Sequence, residues 1–222
     1  MAQQDTPSSA SPQLDHLIEG YHRFRQYGWT PNRERWQALR ESQQPEIMVI
    51  ACSDSRVDPA QVFDVDPGEI FVVRNVAALV PPFENAPGHH GVSAALEFAV
   101  QVLKVREIIV LGHGMCGGCK AALTQELQGS VPGQGGFIAD WIALLDDARD
   151  EVAEAMGTQG RPAERAMEQA GVKVSLANLR TFPCIQEKEA RGTIKLRGAF
   201  FAISDGLLHL LDEASGDFSP VA

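Results

Sequence analysis

The chain reads as an α/β protein, a central and mostly parallel β-sheet flanked by helices. Two observations predict this. Three short apolar runs, at residues 47–51, 71–73 and 108–111, have the length and β-branched content of strands buried on both faces. Between the last two, Val92, Ala95, Leu96, Ala99 and Leu103 recur at helical spacing over residues 91–104. Strands alternating with helices indicate a parallel sheet, whose ligands bind beyond the C-terminal ends of the strands.

The remaining elements follow in order. Leu14, Leu17, Ile18 and Tyr21 mark an amphipathic first helix. Thr30-Pro31 reads as an N-cap with Pro at the first helical position, opening a second helix that carries Trp36 and Leu39 to about residue 42. Neither helix has a sheet to pack on yet, which suits covering another subunit. Beyond Gly112 a helix is expected over 116–127, a glycine-rich turn region over 129–136, and two helices over 137–156 and 162–181. A late strand is expected over 193–203, and the run Leu207-Leu208-His209-Leu210-Leu211 is expected to close the core.

Totals narrow the function. With 222 residues the chain can bury a sizeable core, and its net charge of −10 argues against nucleic acid or an anionic membrane as the main partner. No apolar run approaches the roughly 18 residues of a membrane span. Residues 1–12 read as a disordered, polar arm without a basic start or apolar stretch, and residues 13–222 as a single domain. The expected location is the cytoplasm. There the four cysteines, Cys52, Cys116, Cys119 and Cys184, suit metal or redox chemistry better than two disulfides.

Two loops carry chemistry, and each follows a buried strand: Cys52-Ser53-Asp54-Ser55-Arg56 and His113-Gly114-Met115-Cys116. Adjacent parallel strands bring their ends together, so two thiolates, an imidazole and a carboxylate converge, which are ligand types that zinc takes in a tetrahedron. Cys52, His113 and Cys116 supply three ligands and leave the fourth position to water or Asp54. An open fourth position is the mark of a catalytic zinc. Arg56 can hold Asp54 off the metal by a two-pronged hydrogen bond, and zinc lowers the pKa of its water to about 7, making hydroxide available. Asp54 would then orient that hydroxide.

Other readings compete. Cys116-Gly117-Gly118-Cys119 is a C-x-x-C, as in thiol oxidoreductases, but leaves Cys52, Asp54, Arg56 and His113 without a role. Residues 112–120 imitate a phosphate loop and fail, because Cys119 precedes Lys120 and Ala121 follows it. A non-catalytic zinc module remains open. His89-His90 could shuttle protons, although such pairs more often decorate a loop. Cys119 reads first as a small buried apolar residue, and second as a redox partner for Cys116.

Both loops, with Gly117-Gly118 after the second, resemble the paired signatures of β-class carbonic anhydrases. The similarity extends through Pro67-Gly68-Glu69, residues 71–77 and Asp205-Gly206-Leu207-Leu208, covering about 43–212. The resemblance implies one Zn2+ per chain on Cys52, His113 and Cys116, with Asp54 and Arg56 as a gating pair and Asp54 a fourth ligand only in a closed form. It implies a substrate pocket for carbon dioxide and bicarbonate lined by Gln43, Phe71 and Val76, with Phe98 where plant-type members usually carry a tyrosine hydroxyl. It also implies a homodimer or higher even oligomer embraced by the N-terminal helices. Some members hold regulatory bicarbonate with a Trp three residues before the first ligand and a Gly one before. Val49 and Ala51 stand there, so an open site at neutral pH is expected.

Overall fold

The structure is a computed structural model and describes residues 11–221. The chain divides into two compact units, Met1–Gln43 and Gln44–Ala222. In the first, helix α1 spans Pro12–Arg23, with Ser11 Oγ accepting the Leu14 N–H at 3.3 Å as an N-cap. Of the arm expected over 1–12, residues 1–10 lie outside the described residues. A π-helical stretch, Phe24–Trp29, continues α1, and α2 spans Arg33–Leu39. Thr30 is not the expected N-cap. Its backbone is helical and its hydroxyl donates to the Arg25 carbonyl at 2.7 Å, so it serves the end of the preceding turn.

The second unit begins with strand β1 (Ile47–Cys52), a short helix α3 (Pro59–Val62) and strand β2 (Ile70–Asn75). Helix α4 (Gly91–Glu97) runs on as a π-helix through Leu103 and ends at Lys104 in the left-handed region. Strand β3 (Glu107–His113) leads into α5 (Gly117–Thr124). Then come α6 (Gly136–Ile142), α7 (Asp146–Met156), α8 (Arg161–Leu179), α9 (Pro183–Ala190) and strands β4 (Lys195–Ala202), β5 (Leu207–Asp212) and β6 (Asp217–Pro220).

The six strands form one sheet in the order β2-β1-β3-β4-β5-β6. The first four run parallel, as the expected alternation requires, and β5 and β6 turn back antiparallel. Met48, Val49, Ile50 and Ala51 are fully buried, so β1 is covered on both faces. Helix α8 packs on β3 and β4, with α5 and α7 beside it. Its buried stripe is Ala163, Met167, Glu168, Gly171, Val172, Ser175, Leu176 and Leu179, one face at helical spacing with a single charge in it.

Two expectations are corrected. The run 207–211 closes the core only in part, through Leu208 and Leu211, which are half-buried against it. Leu207 and Leu210 are exposed and only His209 is buried, because β5 lies toward the sheet edge with one side open. The helix expected over 137–156 is two helices joined by a 3-10 turn at Ala143–Leu145. Among the described residues no helix is long and apolar enough to cross a membrane.

Candidate metal centre

The site is built where β1 and β3 end. These strands are direct neighbours, with Ala51 opposite Leu111, so Cys52 and His113 arrive at the same sheet edge. Cys116 follows as the N-cap residue of α5. Ligand atoms of Cys52, His113 and Cys116 lie within 4.8 Å of one another, and all three residues are buried. The two sulfurs are 4.0 Å apart. Zinc–sulfur bonds of about 2.3 Å in a tetrahedron place two sulfurs at roughly 3.8 Å, so the pair is spaced for one ion.

The histidine is presented in a single tautomer. Its Nδ1 lies 2.8 Å from the Gly114 carbonyl, which can only accept, so Nδ1 carries the proton. Nε2 therefore offers a lone pair toward the sulfurs, and it is buried without a hydrogen-bond partner. A buried polar atom left so is costly unless something fills the position. The thiols tell the same story. The Cys116 thiol beside it, with burial, pushes Cys52 up to about 12, and contact with Cys119, with burial, pushes Cys116 up to about 12. A divalent cation reverses that preference, since a coordinating thiol is deprotonated outright. Donor types, spacing and the orphaned nitrogen all fit a zinc ion.

Asp54 stands beside this trio. Arg56 holds it by Nε to Oδ1 at 2.9 Å and Nη2 to Oδ2 at 2.7 Å, while the Arg56 backbone N–H adds 3.0 Å to Oδ1. That bonding keeps the Asp54 carboxyl well below the usual carboxylate range. Its Oδ2 is 4.0 Å from His113 Nε2. Arg56 also donates to the Met115 carbonyl at 3.1 Å, tying the first loop to the second.

Sequence reasoning gave Arg74 no role, although it lies in the 71–77 segment. From β2 its guanidinium reaches across to the first loop: Nε to the Cys52 carbonyl at 2.9 Å, Nη2 to the Asp54 carbonyl at 2.6 Å and Nη1 to Asp58 Oδ2 at 2.8 Å. One side chain thus fixes the backbone on both sides of Ser53. An Arg directly after the apolar run Ile70-Phe71-Val72-Val73 of a strand is the signal that was available, since a cation there needs acceptors.

The expected pocket residues are partly assembled. Phe71 and Phe98 pack with ring centroids 5.9 Å apart and planes 32° apart. Val76 is exposed, and its carbonyl accepts the Trp141 indole N–H at 2.8 Å, so Trp141 does more than pack. Of the two glycines after Cys116, the second is required by space: a Cβ at Gly118 would meet Val76 Cγ1 at 2.8 Å and Ala77 Cβ at 3.0 Å, so glycine lets the first turn of α5 lie against Val76 and Ala77. A cleft of about 580 Å3 adjoins Val76 and includes His89, His90, Phe137 and Trp141 in its lining. His90 donates there to the Ala86 carbonyl at 3.0 Å. Gln43 is the last residue of the first unit and is exposed. Cys119 is buried in α5, and a Cβ at Gly171 of α8 would sit 3.7 Å from its sulfur. All four cysteines are free thiols.

Comparison with known proteins agrees with this geometry. The family model described as carbonic anhydrase matches residues 47–208. Beta carbonic anhydrase 3 of Arabidopsis thaliana is 32% identical over 198 residues, 89% of this chain and 76% of that protein. The solved structure of the beta-carbonic anhydrase CcaA superposes with a TM-score of 0.86 at 32% identity, covering 95% of this chain and 92% of that one. A structure from a study of two tetrameric beta-carbonic anhydrases of Sordaria macrospora gives 0.76 at 27%, over 95% of this chain and 99% of that one. This chain belongs to the carbonic anhydrases, and within them to the β class.

Proposed function

We propose that the chain catalyses the reversible hydration of carbon dioxide to bicarbonate and a proton, using one zinc ion per chain held by Cys52 Sγ, His113 Nε2 and Cys116 Sγ. The observation that carries this reading is the buried, unpartnered His113 Nε2 converging with two thiols within 4.8 Å. When bound, zinc supplies a water acidic enough to lose its proton near neutral pH.

The protein's own groups do the rest. Arg56 keeps Asp54 ionised and turned toward itself, which leaves the fourth metal position free and an acceptor at its edge. Asp54 orients the nucleophile by accepting its O–H. Phe71 and Phe98, packed on each other, and Val76 supply apolar side chains suited to a small linear molecule without a dipole. Phe98 has no hydroxyl, so it neither donates nor relays a proton. Val49 and Ala51 are fully buried in β1 and offer no side-chain donor for a regulatory anion beside Cys52, which favours the open arrangement at neutral pH.

The working protein is a homodimer or a higher even oligomer in this reading. Leu14, Leu17, Ile18, Tyr21 and Phe24 on the first helix and its continuation are exposed apolar side chains that a second copy would cover. The four free thiols suit the cytoplasm. The test is metal analysis of the purified protein with a stopped-flow carbon dioxide hydration assay. About one zinc per chain with hydration above buffer is expected. Zinc without hydration would favour a non-catalytic module, and dithiol-linked activity without zinc would favour redox chemistry.

A further inference from the structure

Helix α8 carries one charged side chain in its buried stripe, Glu168, whose side chain is 2% exposed. A buried carboxylate needs partners or it costs several kcal/mol. Glu168 has two. Arg161, about two turns earlier, meets Oε1 at 3.2 Å and Oε2 at 3.4 Å. The other partner is the backbone N–H of Cys116, which donates to Oε1 at 3.3 Å.

The contact exists because α8 rides close over the sheet. Val172, one turn beyond Glu168, places a methyl 2.5 Å from where a Cβ would stand at Gly112. Only glycine at that point of β3 permits the approach, and it brings Glu168 down onto the loop that follows β3.

That loop leaves the sheet after Gly114, whose N–H pairs with the Phe201 carbonyl at 2.9 Å. Met115 has φ of +60°, a left-handed conformation that a non-glycine residue adopts only under constraint. The Met115–Cys116 peptide is held at both ends, its carbonyl by Arg56 at 3.1 Å and its N–H by Glu168. The same peptide plane sets the direction of the Cys116 side chain.

Resting on the zinc reading above, we propose that Glu168 is a positioning residue of the metal centre, clamping the Met115–Cys116 peptide against Arg56 so that Cys116 Sγ faces Cys52 and His113. Arg161 balances its charge, so the carboxylate can lie against the backbone of a metal ligand.

Glu168→Met and Glu168→Gln separate this role from simple packing. Both conserve volume, and only Gln keeps an acceptor for the Cys116 N–H. Zinc affinity is read by competition with a chelator, and ligand geometry by the near-ultraviolet thiolate-to-metal band of the cobalt(II)-substituted protein. Glu168→Met is expected to lose roughly 10–100-fold in zinc affinity and to shift the cobalt band, and Glu168→Gln to restore both toward wild type. Wild-type affinity and band in Glu168→Met overturn the proposal, as does a Gln variant as impaired as the Met variant.

Should Glu168→Met not fold, the Cys116 amide resonance decides. It is expected to move upfield in Glu168→Gln, where a charged acceptor becomes neutral, and an unmoved resonance overturns the clamp. A wild-type protein that binds no zinc in the same titration removes the functional reading itself. Wild-type binding with indifferent variants removes only Glu168.

Discussion

The two ligand loops are held in opposite ways. The Cys52 loop leaves a β-ladder, with the Ser53 N–H still paired to the Asn75 carbonyl at 2.8 Å, and a cation, Arg74, gathers its carbonyls. The Cys116 loop passes through a left-handed residue, Met115, and an anion, Glu168, takes its N–H. The first is a continuation of the sheet with its spare acceptors satisfied. The second also leaves its ladder with one pairing, Gly114 N–H to the Phe201 carbonyl at 2.9 Å, but then bends at Met115, where side chains arriving from elsewhere hold the Met115–Cys116 peptide. Backbone polarity dictates the sign of the charge that each loop recruits, and the second loop should be the easier to disturb.

Removing a ligand is the largest expected disturbance and should erase the difference between the loops. Cys52→Ser, His113→Ala and Cys116→Ser should each lose most zinc and activity, because a three-ligand site has no spare member. Elemental analysis after dialysis checks this, and full zinc occupancy in any variant removes that residue from the set.

Next comes the gate between the loops. Arg56→Ala frees Asp54 and unties the Met115 carbonyl, so hydration should fall about 100-fold while zinc stays near one per chain. An unchanged hydration rate would show that Arg56 holds nothing important. The pH dependence follows from the same pair. Arg56 lowers the Asp54 pKa below its ordinary 3.8. The stabilisation from this pair is therefore complete above about pH 4 and is lost only as pH falls toward the depressed folded value. In Arg56→Ala the carboxyl should titrate nearer 3.8, read by carbon-13 NMR of labelled aspartate. Identical titrations in both proteins would count against the pairing.

Arg74→Met tests the first loop alone. The ladder persists, so its zinc affinity should fall about tenfold, at the lower end of the range for outer ligands of metal sites. A loss larger than that in Glu168→Met would reverse the ranking of the two loops. The smallest effect is expected at the pocket wall. Phe98→Tyr adds a hydroxyl at a partly exposed position and should change kcat by less than about threefold, because the proton passes elsewhere. A large gain would show that this wall limits proton transfer.

Much of the site was legible because it sits on strong local signals. The runs before Cys52 and His113 are continuously apolar, so their strands are buried neighbours in a parallel sheet, and the ends of neighbouring strands must meet. The clamps were not legible. Arg74 reaches its carbonyls from the adjacent strand, and Glu168 reaches an amide 52 residues earlier from a helix. Such contacts depend on how closely elements approach, which for Glu168 turns on the missing Cβ at Gly112. The edge of the sheet was misread for a related reason. Leu207 to Leu211 has core composition throughout, but β5 lies one strand from the sheet edge, so Leu208 and Leu211 pack on the core while Leu207 and Leu210 stay exposed, a split that composition does not reveal. Helix α9 was missed because Pro183 looks like a terminator, whereas here it occupies the first turn of a new helix.

The central claim is the ligand set, and X-ray absorption at the zinc edge of the purified protein tests it most directly. Two sulfurs at about 2.3 Å with one imidazole nitrogen and one further light atom at about 2.0–2.1 Å is the predicted shell. Three or four sulfurs, which would bring in Cys119, or a shell of nitrogen and oxygen alone, would contradict it.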